Sequence, residues 1–286
     1  MVLVHAHPDD ETITCGGVMS LAAAAGVGVT LVTCTLGERG EVIPPELAHL
    51  EGTAALADHR AGELDGACAA LGVTDHRLLG GRRRWLDSGM LATGEGIRAA
   101  APAELDELSP GAFARRDAVD EQVAQLVAVL REVRPSVVIS YDASGGYGHP
   151  DHVRAHEITG GAVEELDPRA EEIALYACAA PHDAVEAGLA GLRRPWFPLP
   201  VPTVDDVPTV PDADITTRIA LGAGRVAKLA ALRAHATQVV VVDDGREPPG
   251  YALSHGLAQP VLREECFVLL RGPGGAPDDL FPGTGV

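Results

Sequence analysis

The fold is decided by residues 2–36, which read VLVHAHPDDETITCGGVMSLAAAAGVGVTLVTCTL. The run from Val2 to His5 is apolar and has the length of a short strand. The stretch from Gly16 to Ala25 has a helical pattern and closes at Gly26, because glycine commonly follows the last residue of a helix. Val27 to Leu36 is a second continuous apolar run. Two such strands joined by a helix predict a βαβ unit with parallel strands.

The same alternation continues to about residue 141. Helical periodicity runs from Asp58 to Leu71 and from Ala118 to Val133. A short strand is predicted at Arg77 to Leu79 and a buried strand at Ser136 to Tyr141. We therefore expect an α/β fold with a Rossmann-like, doubly wound, mostly parallel sheet. Ligands of such sheets bind outside the carboxyl ends of the strands. Three long irregular stretches follow predicted strands: residues 37–53, 80–115 and 142–152.

The second half of the chain gives weaker signals. Its predicted elements are a strand (Ile173–Cys178), a Pro-rich loop or edge segment (Trp196–Pro211), a long helix (Ile215–Ala236) and a frayed Gly/Pro-rich tail (Gly272–Val286). No interdomain linker is visible, so a single domain is predicted over residues 1–286. Within it we expect a Rossmann-like catalytic core at 1–160 and a C-terminal elaboration at 161–286.

The charge of the chain limits its partners. Its 286 residues carry 22 Lys and Arg against 41 Asp and Glu, a formal net charge of −19. Nucleic-acid phosphates and anionic lipid headgroups repel such a molecule, so neither nucleic acid nor a membrane is expected as a partner. The sequence indicates no oligomeric state. No apolar run is long enough to cross a membrane and no signal peptide is recognisable, so we expect a cytoplasmic protein that acts on a small molecule.

Polar side chains follow the first predicted strand directly, in the segment His5-Ala6-His7-Pro8-Asp9-Asp10-Glu11. Proline fixes its own φ and pushes the residue before it to an extended conformation, which suits a ligand held at a fixed angle. A histidine and two adjacent carboxylates can supply metal ligands and a free base. Taken alone, the segment is equally compatible with a helix start in which Asp9 or Asp10 caps the helix and His7 is a surface residue.

The His-Pro-Asp sequence occurs a second time, in Gly148-His149-Pro150-Asp151-His152, and again follows a predicted strand. Two such segments at the ends of parallel strands can meet at one crevice. Three nitrogen or oxygen ligands with one open position define a catalytic zinc site. The pair of motifs therefore favours a metal-dependent enzyme over two unrelated loops.

The residues of the two motifs divide into ligands and proton-transfer groups. The ligands are assigned as His7, Asp10 and His152. Asp9 is then a carboxylate beside the metal that can take a proton from bound water. His149 and Tyr147 are donors on the other side of a reacting carbonyl. The leaving amine must receive a proton from either Asp9 or His149, and both alternatives stay open.

The two motifs together resemble the signature of the PIG-L type of zinc-dependent N-acetylglucosaminyl deacetylases, also called the LmbE-like family. Further segments resemble the members of this family that act in mycothiol biosynthesis. These are Val32–Ile43, Trp85–Met90, Tyr141–His152 and Ala234–Gln238. The likeness runs from residue 2 to about residue 242, so it covers most of the chain.

The resemblance implies the same three zinc ligands, one ion per chain with Fe²⁺ as the alternative metal, and Asp9 as the general base. It implies that Tyr147 stabilises the oxyanion and that Asp151 orients and charges the neighbouring histidine. It also places three side chains at sugar or inositol hydroxyls. These are Glu41, Arg60 and Asp87.

The activity implied by the resemblance is hydrolysis of the acetamide of N-acetylglucosaminyl-inositol to glucosaminyl-inositol and acetate, a step of mycothiol biosynthesis. The alternatives are an amidase of mycothiol S-conjugates, which is similar in both motifs, and a deacetylase of another N-acetylated amino sugar. Thr12 to Cys15 lack the lysine associated with the conjugate amidases, which favours the small acyl group. A non-catalytic sugar-binding protein is disfavoured because a binder needs neither the base nor an open metal position.

Overall fold

A computed structural model describes residues 1–93, 96–98, 102–195 and 197–281. Its strands are β1 (Val2–His5), β2 (Thr30–Thr33), β3 (Asp75–Leu78), β4 (Leu91–Thr93), β5 (Gly96–Arg98), β6 (Val137–Ser140), β7 (Ala174–Ala179), β8 (Thr217–Ala220), β9 (Val240–Val242), β10 (Gly250–Ala252), β11 (Ala258–Pro260) and β12 (Glu264–Arg271). Its helices are α1 (Asp10–Ala24), α2 (Ala54–Leu71), α3 (Val119–Val133), α4 (Gly145–Gly148), α5 (Pro150–Leu166), α6 (His182–Leu192) and α7 (Gly224–Ala234). In the described part of the chain, no helix is both long and apolar enough to span a bilayer.

The central sheet has seven strands in the order β3-β2-β1-β6-β7-β12-β8. Five adjacent strands are parallel, namely β3, β2, β1, β6 and β7. β12 runs antiparallel to both β7 and β8. β1 lies between two parallel neighbours, with Leu3 opposite Leu31 on one side and Ile139 on the other. The predicted α/β fold with a doubly wound, mostly parallel sheet is confirmed.

Helices cover both faces of this sheet and create two cores. α1, α2 and α7 pack together on one face, and α3 packs on α5 on the other. Leu3 points into the first core, whereas Val2 and Val4 point into the second. Since successive side chains of a strand face opposite sides, β1 must be apolar at each of these positions. This explains why the strand could be recognised from an unbroken apolar run.

The strand order creates a topological switch at β1. From β1 the chain moves outward through β2 to β3, and it later crosses back to β6 on the other side of β1. The connections after β1 and β6 therefore diverge, and a crevice opens between them at the carboxyl ends of the strands. The first His-Pro-Asp segment follows β1 and the second follows β6. The fold thus brings the two motifs to one place.

Two sequence-based predictions are wrong in the second half of the chain. The helix predicted at Ile215–Ala236 begins only at Gly224, because Thr217–Ala220 forms β8 against β12. The tail is not frayed as far as it is described, since Leu280 is buried in the first core. The segment after residue 161 supplies three strands of the central sheet. Trp196 and the last part of the predicted tail, 282–286, lie outside the described residues.

Candidate metal centre

Three donor atoms from the two motifs converge at the switch point. Nδ1 of His7 lies 3.4 Å from Oδ2 of Asp10 and 3.3 Å from Nε2 of His152. The Asp10 oxygen and the His152 nitrogen are also 3.3 Å apart. Ligand atoms that surround a tetrahedral ion at about 2.0–2.1 Å are separated by about 3.3–3.4 Å. The three side chains predicted as ligands therefore fit a single divalent ion with one face of its coordination left open.

Each of the two histidines has its second ring nitrogen fixed by a neighbour. Nε2 of His7 donates to Oδ2 of Asp151 at 3.1 Å, and Nδ1 of His152 donates to the carbonyl of Gly145 at 3.1 Å. Gly145 has φ 65°, and a Cβ there would lie 2.7 Å from the Cβ of His152. Only glycine therefore allows this close approach. Such bonds set which nitrogen is free to bind a metal.

Tyr141 holds the carboxylate of Asp10, a role that the sequence reasoning missed. Its hydroxyl donates to Oδ2 of Asp10 at 2.7 Å and accepts from the backbone N–H of Ala6 at 2.9 Å. Its ring also stacks on that of His152, with centroids 4.3 Å apart. Burial alone would raise the pKa of Asp10, but His152 and His7 hold it well below its usual range. Asp10 is therefore an anion in position to bind a cation.

We expect Tyr141→Phe to weaken metal binding about 10- to 100-fold, the range typical of groups that orient a ligand. The ring and its stacking remain, while the bond to Asp10 is lost. Titration against a fluorescent chelator measures the affinity. Tyr251→Phe is the matched control, because Tyr251 is also buried and its hydroxyl bonds to Gln259 instead. Unchanged affinity in Tyr141→Phe would contradict the assignment.

Asp9 lies at the N-terminal cap position of α1, but its carboxylate makes no capping bond. Its backbone has φ 106° and ψ −34°, a conformation that costs free energy for any residue but glycine. Burial, and after it the charge of Asp10, raises the pKa of Asp9 to about 7. A carboxyl with this pKa can take up and release a proton near neutral pH. The helix-cap interpretation of Asp9 is therefore not supported.

His149 is placed as a neutral donor beside the three predicted ligands. Its Nδ1 accepts the backbone N–H of Asp151 at 3.1 Å, so the proton of the neutral ring is on Nε2. Burial, and then the neighbouring ring of His7, lowers the pKa of His149 to about 4. Ring nitrogens of His7, His149 and His152 lie within 4.8 Å of one another. His149 thus carries its ring proton on Nε2 and lies beside the other two histidines.

Asp151 and Tyr147 border the same cluster. The Asp151 carboxylate is completely buried and accepts from His7 and from the backbone N–H of Ser88. The carboxylate of Asp151 therefore orients His7. The contact between Asp151 and His149 is made by the backbone N–H of Asp151 instead. The ring of Tyr147 is 57% exposed and stands edge-on to His149 and His152, with centroids 6.1 and 5.0 Å away.

A cavity of about 980 Å³ opens onto the candidate metal centre and is bordered by the three predicted substrate contacts. Glu41 is exposed at this cavity. Arg60 is buried, and its guanidinium donates to the carbonyls of Gly37 and Glu41 and to the hydroxyl of Thr237. Arg60 therefore stabilises the conformation of the loop that follows β2. The far wall comes from the C-terminal half of the chain and is mostly apolar, with Val185, Val207, Val210, Leu253, Leu257 and Leu262.

Asp87 contacts His7 of the candidate metal centre. One carboxylate oxygen lies 3.6 Å from Nε2 of His7 and accepts the backbone N–H of Gly89. The other accepts the backbone N–H of Arg39. Burial by itself would raise the pKa of Asp87, but His7 lowers it well below its usual value. Asp87 thus supports His7 in this structure, and a substrate contact for it stays a prediction.

Comparison with known proteins gives a consistent result. Residues 2–163 match the PIG-L family model, described as GlcNAc-PI de-N-acetylase. The chain is 51% identical over 288 residues to a 1D-myo-inositol 2-acetamido-2-deoxy-alpha-D-glucopyranoside deacetylase of Saccharomonospora viridis, covering 99% of this chain and 100% of that protein. It is 50% identical to the protein of the same name from Actinosynnema mirum, covering 100% and 97%. A solved deacetylase–teicoplanin complex from the teicoplanin biosynthesis pathway has the same fold, with a TM-score of 0.56, 16% identity and coverage of 95% and 99%.

Proposed function

The chain belongs to the PIG-L family of GlcNAc-PI de-N-acetylases, and from this premise we propose that it is a metal-dependent amide hydrolase that deacetylates N-acetylglucosaminyl-inositol. The products are glucosaminyl-inositol and acetate, in a step of mycothiol biosynthesis. One observation carries the proposal: three donor atoms spaced for a single ion lie at the same crevice as a buried carboxylate with a raised pKa. Relatives about half identical to this chain bear the name of this deacetylase.

We propose Zn²⁺ as the ion, one per chain, with Fe²⁺ as the alternative. When bound at His7, Asp10 and His152, such an ion acidifies a water molecule and polarises the acetamide carbonyl. Histidine nitrogen and carboxylate oxygen are donors that suit either metal.

In this proposal Asp9 is both the general base and the general acid. Its carboxylate takes the proton of the attacking water and later returns it to the nitrogen as the C–N bond breaks, so the sugar leaves as a free amine. Its pKa of about 7 supports both directions of transfer. His149 is the weaker candidate for the acid, because its low pKa and its bond from the Asp151 N–H both favour a neutral ring.

His149 and Tyr147 act on the acetamide oxygen. Nε2–H of His149 and the hydroxyl of Tyr147 donate to this oxygen as it gains negative charge. Donors fixed before the reaction contribute most, since no reorganisation is needed when the charge develops. His149 meets this condition because the start of α5 holds its ring.

The test is a comparison of substrates. The purified protein is incubated with N-acetylglucosaminyl-inositol, free N-acetylglucosamine and a mycothiol S-conjugate, and release of primary amine is measured. We expect the highest kcat/KM on the inositol substrate. A higher value on the conjugate would identify an amidase, and turnover of the free sugar alone would identify a different deacetylase. Binding of the sugars without amine release by metal-loaded protein would indicate a non-catalytic binder.

We expect the inositol ring to contribute to catalysis through Glu41. Free N-acetylglucosamine should lose about 100-fold or more in kcat/KM, because contacts remote from the amide are used to position the carbonyl. Glu41→Gln should lower kcat/KM on the inositol substrate about tenfold, the value of one bond to a charged group, and change that of the free sugar less than about twofold. Steady-state kinetics on both substrates measure the difference.

Glu46→Gln is the matched control for Glu41→Gln. Glu46 is also exposed, lies in the neighbouring turn Pro45–Leu50, and does not border the cavity. The substitution removes the same charge, so general electrostatic effects are common to both variants. Equal losses on the two substrates in Glu41→Gln would show that Glu41 does not contact the inositol.

A further inference from the structure

The strained backbone of Asp9 needs a partner that keeps it in place. A residue with a Cβ stays at φ 106° only when surrounding contacts determine that conformation. The carbonyl of Pro8, in the peptide before Asp9, accepts a hydrogen bond from Nε2 of Gln238. The N–H of Asp9 itself donates to Oε2 of Glu11 at 3.0 Å. The peptide group between Pro8 and Asp9 therefore has both its carbonyl and its N–H in hydrogen bonds with side chains.

The bond between Gln238 and the carbonyl of Pro8 is buried. Gln238 is buried and borders the same cavity as Asp9. Its amide therefore holds the backbone of the proposed base at the edge of this cavity.

Glu11, which accepts the N–H of Asp9, is itself bonded to a residue close to Gln238 in the chain. Oε1 of Glu11 accepts from Nε2 of His235 at 2.9 Å, and both side chains are completely buried. His235 and Gln238 are the two ends of one turn after α7, closed by a bond from the N–H of Gln238 to the carbonyl of His235. The turn is anchored to α2, because the N–H and the hydroxyl of Thr237 both donate to Glu63.

We propose that the turn His235–Gln238 is a positioning device for the base Asp9, with Gln238 as the principal positioning residue and His235 acting through Glu11. The proposal rests on the proposed function, in which Asp9 moves the proton. It gives a role to a segment that supplies no metal ligand and lies more than 200 residues from Asp9 in the chain. A turn that only packed against α1 would stabilise the protein without affecting the direction of the Asp9 carboxylate.

The central test is Gln238→Met, which keeps the length of the side chain and removes the donor. We expect kcat to fall about 10- to 100-fold, since small misplacements of a reacting group have effects of this size. KM should change less than about twofold and metal content should be unchanged, because no ligand is affected. Amine release and elemental analysis of the same preparation measure both quantities.

Gln122→Met is the matched control. Gln122 is also buried, and its Nε2 also donates to a backbone carbonyl, that of Phe113 at 2.8 Å. The substitution therefore removes the same kind of bond in a different part of the fold, together with the oxygen that accepts from Nη1 of Arg154. We expect a lower Tm in both variants and a lower kcat only in Gln238→Met.

A double variant separates action through Asp9 from any other effect. If Gln238 acts through Asp9, then Asp9→Ala and Asp9→Ala/Gln238→Met should have the same residual kcat. Additive losses would overturn the proposal. So would loss of metal in proportion to kcat in Gln238→Met, because the turn would then support the metal site instead. If Gln238→Met does not fold, Gln238→Asn keeps the amide on a shorter side chain and should show the same split between kcat and KM.

A crystal structure of Gln238→Met tests the proposal without an activity measurement. We expect Asp9 to leave the region near φ 106° while the donor atoms of His7, Asp10 and His152 stay where they are. An unchanged Asp9 would overturn the proposal. If the wild type releases no amine from any substrate, the proposed function is wrong, and the crystal structure still decides whether the turn holds Asp9.

Discussion

Replacing His152 with alanine is expected to remove the bound divalent ion and to lower kcat about 10³-fold or more, the size of a metal ion's contribution to such a reaction. The reason is geometric. Nε2 of His152 is 3.3 Å from both other donor atoms, so its loss leaves only two ligands and opens a second position to water. Elemental analysis after gel filtration, together with amine release, measures both effects. His7→Ala and Asp10→Ala should behave in the same way.

The control for this prediction is His182→Ala, which removes a half-buried histidine from the start of α6. It should keep its metal and its activity. Full metal content in His152→Ala would reject the ligand set. It would instead favour a site on the other side of the His7 ring, where His7, Asp87 and Asp151 have ligand atoms within 4.8 Å of one another.

The part of the fold that could be predicted is the part with an unambiguous apolar pattern. β1 is buried on both faces, so its first three positions, Val2 to Val4, are apolar and the strand is recognisable from sequence. β8 is only four residues long and is followed closely by the Ala-rich sequence of α7. Its short pattern of polar and apolar residues is therefore hard to separate from the helical pattern. Short alternation next to a helical pattern does not show where a strand ends and a helix begins. This is why Ile215–Ala236 was predicted as one helix.

The positions of the proposed ligands could be predicted because two similar segments follow neighbouring strands at the switch point. Their partners could not. Tyr141 reads as the end of a buried strand, and nothing local indicates that its hydroxyl binds Asp10. Gln238 is 230 residues from Pro8 and His235 is 224 residues from Glu11. Contacts over such separations depend on how α7 packs on α1, which a single sequence does not contain.

Asp9→Asn is expected to keep its metal and to lose about 10²-fold or more in kcat, since proton transfer by a positioned group contributes about that much. Asparagine has the shape of aspartate and tolerates a positive φ better than most residues, so the strained backbone at φ 106° should persist. The amide cannot take a proton from water near neutral pH. Substrate binding should survive, and KM should therefore change little.

Asp10→Asn makes the comparison decisive, because it is the same chemical change at the adjacent residue. Oδ2 of Asp10 lies 3.4 and 3.3 Å from the two histidine donors, whereas Asp9 belongs to neither pair. Asp10→Asn should therefore weaken metal binding and Asp9→Asn should not. If the Asp9 variant lost the ion while the Asp10 variant kept it, the two carboxylates would have exchanged roles. The base would then be the residue that Tyr141 holds, and the strain at Asp9 would serve metal binding instead of proton transfer.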